Sequence, residues 1–206
     1  CFTKMPCRLS IRSHAVAGLT AFALRRVLPS AERVREASCP SVGNPDMAAK
    51  KRWAQFPYEA KGFDYAGAKL AKAWDVLHAG DCEPFPDHAR VAAAIAGTPK
   101  LGKAAAAGEL ASQLQEAWRS YHRGDFQDAF EAGESMGALG ASVAVKAAGI
   151  HAVYLLDDEK EQLKRFEQLG VLAEDASKVW TDEANTHYRR AFAIGRYSQG
   201  ISIGKA

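Results

Sequence analysis

The stretches AWDVLHAGD (73–81) and AWRSYHRGD (117–125) share Ala, Trp, His, Gly and Asp at the same positions. The correspondence places His78 and His122 equivalently, and two equivalent imidazoles could begin a metal-ligand set. A plainer use competes: a histidine one turn from a helix end suits the negative end of the helix dipole. Both are therefore expected at the exposed end of a helix, with no metal and no cofactor. His151 and His187 add imidazoles without a catalytic set, because the chain has no Gly-rich phosphate loop, no H-E-x-x-H and no triad partner around GIHAVYL. The carboxylate pairs Asp157–Asp158 and Asp182–Glu183 sit where helices should start, and capping accounts for them. The chain reads as a non-enzyme.

Binding chemistry is better represented. EANTHYRRAFAIGRYSQG (183–200) gathers Asn, His, Tyr and Arg on one segment. Forked guanidinium groups beside rigid aromatics are the composition of partner-binding surfaces. Two readings stay open here: a binding face, or tyrosines packed between helices with solvated arginines. The same choice applies to Trp74 and Trp118, which are either core residues or anchors for a bound partner.

Composition bounds the answer. In 206 residues, 48% are apolar and 25% charged, ordinary for a soluble folded protein, and a net charge of +3 is too small an excess to imply nucleic acid. Residues 1–46 differ from the rest in their basic excess and in holding Cys1, Cys7 and Cys39 of the four cysteines. No pair is spaced as C-x-x-C, so no zinc or redox site is indicated. AVAGLTAFAL is too short to span a bilayer. For this arm three readings compete: a targeting segment, upstream sequence ahead of a true start at Met47, and a loose arm with one helix. The second is preferred because the chain opens on Cys1 and MAAKKRW resembles a natural start. A helical domain is expected over 47–206, with Ala206 falling inside a predicted helix as a truncated chain would. The expected location is the cytoplasm, or the periplasm if an export signal precedes Cys1.

From residue 63 onward the periodicity is helical. Helices are expected at 63–80, from His88 to Gly97, through KAAAAGELASQLQEAWRSYHRG, from Asp125 to about Met136, at 141–156, from a cap at Asp157 or Asp158, and from a cap at Thr181. Pro84 and Pro86 break the chain between the first two. The nearly apolar helix at 141–156 should be buried on most sides. The next should turn Leu163, Phe166, Gly170 and Ala173 inward, with Glu161 and Arg165 paired outward.

Aligned on Gly80, Gly124, Asp157 and Gly200, the helices share a small residue seven positions earlier, except for Ile150, and a bulky one three earlier: Leu77, Tyr121, Tyr154 and Tyr197. The spacing from Gly124 to Asp157, about 33 residues, is that of a helical-hairpin solenoid. Around 121–133, Tyr121, Gly124, Asp125, Phe126 and Ala129 resemble the hairpin turn of the tetratricopeptide repeat. The other units match poorly. The resemblance implies an all-α chain, a short right-handed superhelix of antiparallel helical hairpins whose first helices line a concave groove. By that register Trp74, Trp118, His122, His151, Arg190, Ile194 and Tyr197 face the groove as partner-binding residues. The implied function is a non-catalytic adaptor holding a peptide or partner protein, with a small-ligand or transport-accessory role as the alternative. Homo-oligomerisation is open; nucleic acid and a membrane span are not expected.

Overall fold

A computed structural model of the chain describes residues 52–201, and these form helices and turns without a strand. The readings made for residues 1–46 lie outside the described residues. Among the described residues seven α-helices follow one another: α1 (Lys69–Leu77), α2 (His88–Gly97), α3 (Ala107–Arg123), α4 (Phe126–Ser135), α5 (Ala141–Tyr154), α6 (Glu159–Val179) and α7 (Ala184–Gly200). Among the described residues no helix is long and apolar enough to cross a membrane.

Local chemistry sets the boundaries. Asp87 opens α2 by accepting from the Arg90 amide, and Asp158 opens α6 by accepting from the amides of Lys160 and Glu161. Two expected starts move. Gly67 takes φ +58° in the turn ahead of α1, so that helix begins at Lys69 and not at 63. Thr181 does not cap α7: the cap position is Glu183, whose carboxylate pairs with Arg90, while the Thr186 hydroxyl donates back to the carbonyls of Trp180 and Glu183.

From α2 onward each helix packs on the next, and α5 also touches α3 and α7. α5 explains its own composition. Val143 and Ala147 belong to one core, with Leu70, Trp74, Leu114 and Trp118, whereas Val145, Ala148 and Ala152 belong to a second, with Phe166, Leu169 and Ala193. A helix that divides two cores keeps little solvent face for polar residues, and here only Ser142, Lys146, Ile150, Val153 and Tyr154 escape full burial. On α6, Phe166 and Ala173 are buried as expected, but Arg165 is not an outward partner of Glu161. Its guanidinium lies 3.9 Å over the Trp53 ring.

The α3–α4 turn depends on glycine. Gly124 has φ +86°, and the Asp125 amide donates to Ser120 O at 2.9 Å, closing the helix end. A Cβ on Gly124 would stand 2.3 Å from Phe56 Cβ. The equivalent Gly80 is different: nothing lies within 4 Å of its Cβ position, and the left-handed residue of that turn is Cys82, at φ 49°. Gly124→Ala should therefore cost the left-handed penalty of about 1–2 kcal/mol plus displacement of Phe56, and Gly80→Ala about 0.5 kcal/mol or less. Urea unfolding of both variants checks this; equal losses would contradict the assigned turn.

Candidate functional site

The α1 and α3 copies of the Ala-Trp…His motif meet face to face. Trp74 stacks on His78 with centroids 4.0 Å apart and meets Trp118 edge-on at 5.6 Å, and Trp118 is stacked over His122 at 6.1 Å. The two imidazoles touch, Nε2 to Nε2, at 3.3 Å. One must donate and the other accept. His78 Nδ1 is 3.0 Å from Asp81 Oδ1, so its proton belongs there and its Nε2 accepts from His122. Burial lowers both pKa values, that of His122 to about 3, so both rings are neutral near pH 7. The expectation that these histidines are exposed is corrected: His78 is 2% exposed and His122 is half-buried. Each tryptophan is buried, and it draws the imidazole one turn further on inward with it, fully at His78 and partly at His122.

Behind His78 lies a buried ionic cluster. Asp81 Oδ2 accepts from Lys146 Nζ at 2.5 Å and from Arg189 Nη2 at 2.6 Å. Arg189 Nη2 also reaches Glu83 at 3.1 Å, and Ser142 joins the two by donating to Glu83 and accepting from Arg189 Nε. Asp81 and Glu83 come from the loop after α1, Ser142 and Lys146 from α5, and Arg189 from α7. The loop is fixed by the Trp74 indole N–H, which donates to Glu83 O at 2.6 Å, and by Phe85 edge-on to the same ring. Burial alone would raise the Asp81 pKa, but the hydrogen bonds from His78, Arg189 and Lys146 outweigh it and hold that carboxyl well below the usual range. Burial dominates at Glu83, raised despite Arg189, and at Lys146, lowered despite Asp81. Tyr121, in the same cluster, is pushed up to about 12 by burial.

The cluster floors a cleft of about 280 Å³ lined by Leu77, Gly80, Asp81, Lys146, Ile150, Tyr188, Arg189 and Phe192. Apolar walls over a few fixed polar groups are the usual form of a ligand site. Among the described residues no three ligating side chains converge as a metal site.

The residues singled out by register do not form one groove. Trp74 and Trp118 are 3% and 2% exposed, their faces taken by one another and by the histidines. His151 is buried beneath Trp53, 4.7 Å between centroids, with neither ring nitrogen hydrogen-bonded among the described residues. Arg190 leans toward Glu174 on α6 at 3.6 Å, Ile194 is 43% exposed, and Tyr197 packs half-buried on the second core. The cleft-floor residues Asp81, Lys146 and Arg189, and Glu83 and Ser142 behind them, were not found by register. One signal was available: Lys146 is the only Lys, Arg, Asp or Glu in a nearly apolar helix, and a charge so placed must be paired.

No family model, curated protein or solved structure matches the chain.

Burial lowers the pKa of His78, His122 and His151 in the fold. Below pH 6.5 the unfolded chain then binds protons that the folded one refuses, and stability falls as pH falls. Each such histidine contributes up to about 1.4 kcal/mol per pH unit. His151→Leu should flatten the decline without lowering stability at pH 7.5, since among the described residues its ring nitrogens make no hydrogen bond to lose. Urea titrations from pH 7.5 to 5 read both; a profile parallel to wild type would mean that His151 titrates alike folded and unfolded.

Proposed function

We propose that the chain is a non-catalytic binding module, a protein-interaction adaptor built from tetratricopeptide-like helical hairpins. The hairpin reading is supported by the short reversals at Gly124–Asp125 and 155–158, which suit antiparallel neighbours, and by the contacts of α5 with the alternate helices α3 and α7. In that arrangement α1, α3, α5 and α7 are the first helices of successive units. The observation that carries the binding reading is the cleft: its walls come from α1, α5 and α7, and exposed aromatics stand beside it. Tyr188 is 51% exposed at its mouth, and Tyr154, 72% exposed, continues the α5 stripe of Lys146 and Ile150 by one turn. Exposed tyrosines around an apolar depression suit a partner's polypeptide, contributing rigid contact area at little entropic cost.

A second reading, a small-ligand-binding or transport-accessory protein, is favoured by one specific feature. The depression has a floor of preorganised charges, which a flat protein contact would not need.

The adaptor reading is tested by affinity capture from the host lysate with the full chain, comparing wild type with Tyr154→Ala/Tyr188→Ala. Both tyrosines are exposed, so the variant should keep its melting temperature. One protein retained in stoichiometric amount by wild type and lost by the variant is the expected result; identical retention by both would contradict the assigned face.

A further inference from the structure

The cleft floor is more specific than a generic polar patch. The Arg189 side chain is 5% exposed, and its donors are unevenly used. Nε is taken by Ser142 and Nη2 by Asp81 and Glu83, while Nη1 has no partner among the described residues. The sealed, unpartnered nitrogens are those of His151, Arg165 and Arg190; Arg189 Nη1 is not one of them, and Arg189 lines the cleft. A guanidinium carries its donors in a rigid fork, so an edge fixed on one side presents the other in a set direction. Lys146 stands beside it. Its Nζ donates one N–H to Asp81 and lies 5.5 Å and 5.3 Å from the ring centroids of Trp118 and Tyr121. An ammonium has three N–H groups, which leaves capacity for a further acceptor.

We infer that the cleft binds a small monocarboxylate with an apolar body, its carboxylate held by Arg189 Nη1 and Lys146 Nζ and its hydrocarbon part packed against Leu77, Ile150 and Phe192.

Charge, shape and order agree. Arg189 and Lys146 face Asp81 and Glu83, two cations against two carboxylates, so one added negative charge disturbs the balance less than a phosphate dianion would. The walls are hydrocarbon and aromatic, so the ligand's remainder is apolar. About 280 Å³ suits a compact acid. Asp81 already holds both cationic groups in place, so binding does not have to order them, and preorganisation of this kind raises affinity. The inference rests on the small-ligand reading.

Titration calorimetry with the full chain tests it, using monocarboxylates from butanoate to decanoate with 3-phenylpropionate, each beside its primary amide. The expected result is that at least one acid binds, at least about tenfold tighter than its amide, and loses about tenfold or more in Lys146→Met, with circular dichroism verifying that variant's fold. Ile150→Ala, which leaves the charges intact, should weaken the same acid while preserving its preference over the amide. Equal binding of acid and amide would overturn the carboxylate assignment and leave the small-ligand reading standing. No binding by any acid or amide at millimolar concentration would overturn both. Acid binding unchanged in both variants would place the site elsewhere and overturn the inference. A peptide ending in a free phenylalanine carboxylate that outbinds the free acids would move the occupant to a chain terminus, with the same consequence.

Discussion

The Asp81 carboxylate is the constraint around which α1, α5 and α7 are arranged. It is 7% exposed in its side chain and accepts from an imidazole, an ammonium and a guanidinium. A carboxylate taken out of water with no partner would cost several kcal/mol. Its three partners come from α1, α5 and α7, so satisfying one buried charge fixes the mutual placement of three helices far apart in sequence. The arrangement is reciprocal. Arg189 is buried too and Lys146 partly so, and among the described residues neither is paired with a carboxylate other than Asp81 and Glu83.

That requirement also shapes the aromatic cluster. His78 can present Nδ1 to Asp81 only if its ring is held, and Trp74 stacked on one face with Trp118 at the edge holds it. The Trp74 indole N–H then secures the Glu83 carbonyl, which brings the second carboxylate to Arg189. Packing and electrostatics are one structure here, because the rings that fill the core also aim the polar groups. The cleft inherits its fixed floor from this arrangement, whereas Tyr188 among its lining residues remains exposed.

Periodicity and capping made most of the helices legible. The strongest signals were the amphipathic stripe of α3, the apolar run of α5 and the Asp158 cap, and each depends on interactions within a few residues of sequence. Boundaries failed where a distant group intervened: Glu183 turned to Arg90, and Thr181 did not cap. The site was less legible for the same reason. Register identified Arg190 and passed over its neighbour Arg189, because the two differ only in which face of α7 meets the loop after α1. His78 and His122 were read as helix-end residues, since nothing local to either shows that two tryptophans draw both inward. The repeat alignment marked a true left-handed turn at Gly124, whereas at Gly80 the prolines of the following loop changed the geometry.

The central claim is that Asp81 and Arg189 stabilise one another across the fold, and a double-mutant cycle with Asp81→Ala and Arg189→Met, read by urea unfolding at pH 7.5, tests it directly. Each single substitution leaves a buried charge with fewer partners, only Glu83 opposite Arg189 or only Lys146 and His78 beside Asp81, and should cost up to about 3–5 kcal/mol. The double variant should recover part of that loss, with a coupling energy of about 1.5 kcal/mol or more. Losses that add to within about 0.5 kcal/mol would contradict the account, because the two charges would then contribute independently and the cluster would not hold the helices together.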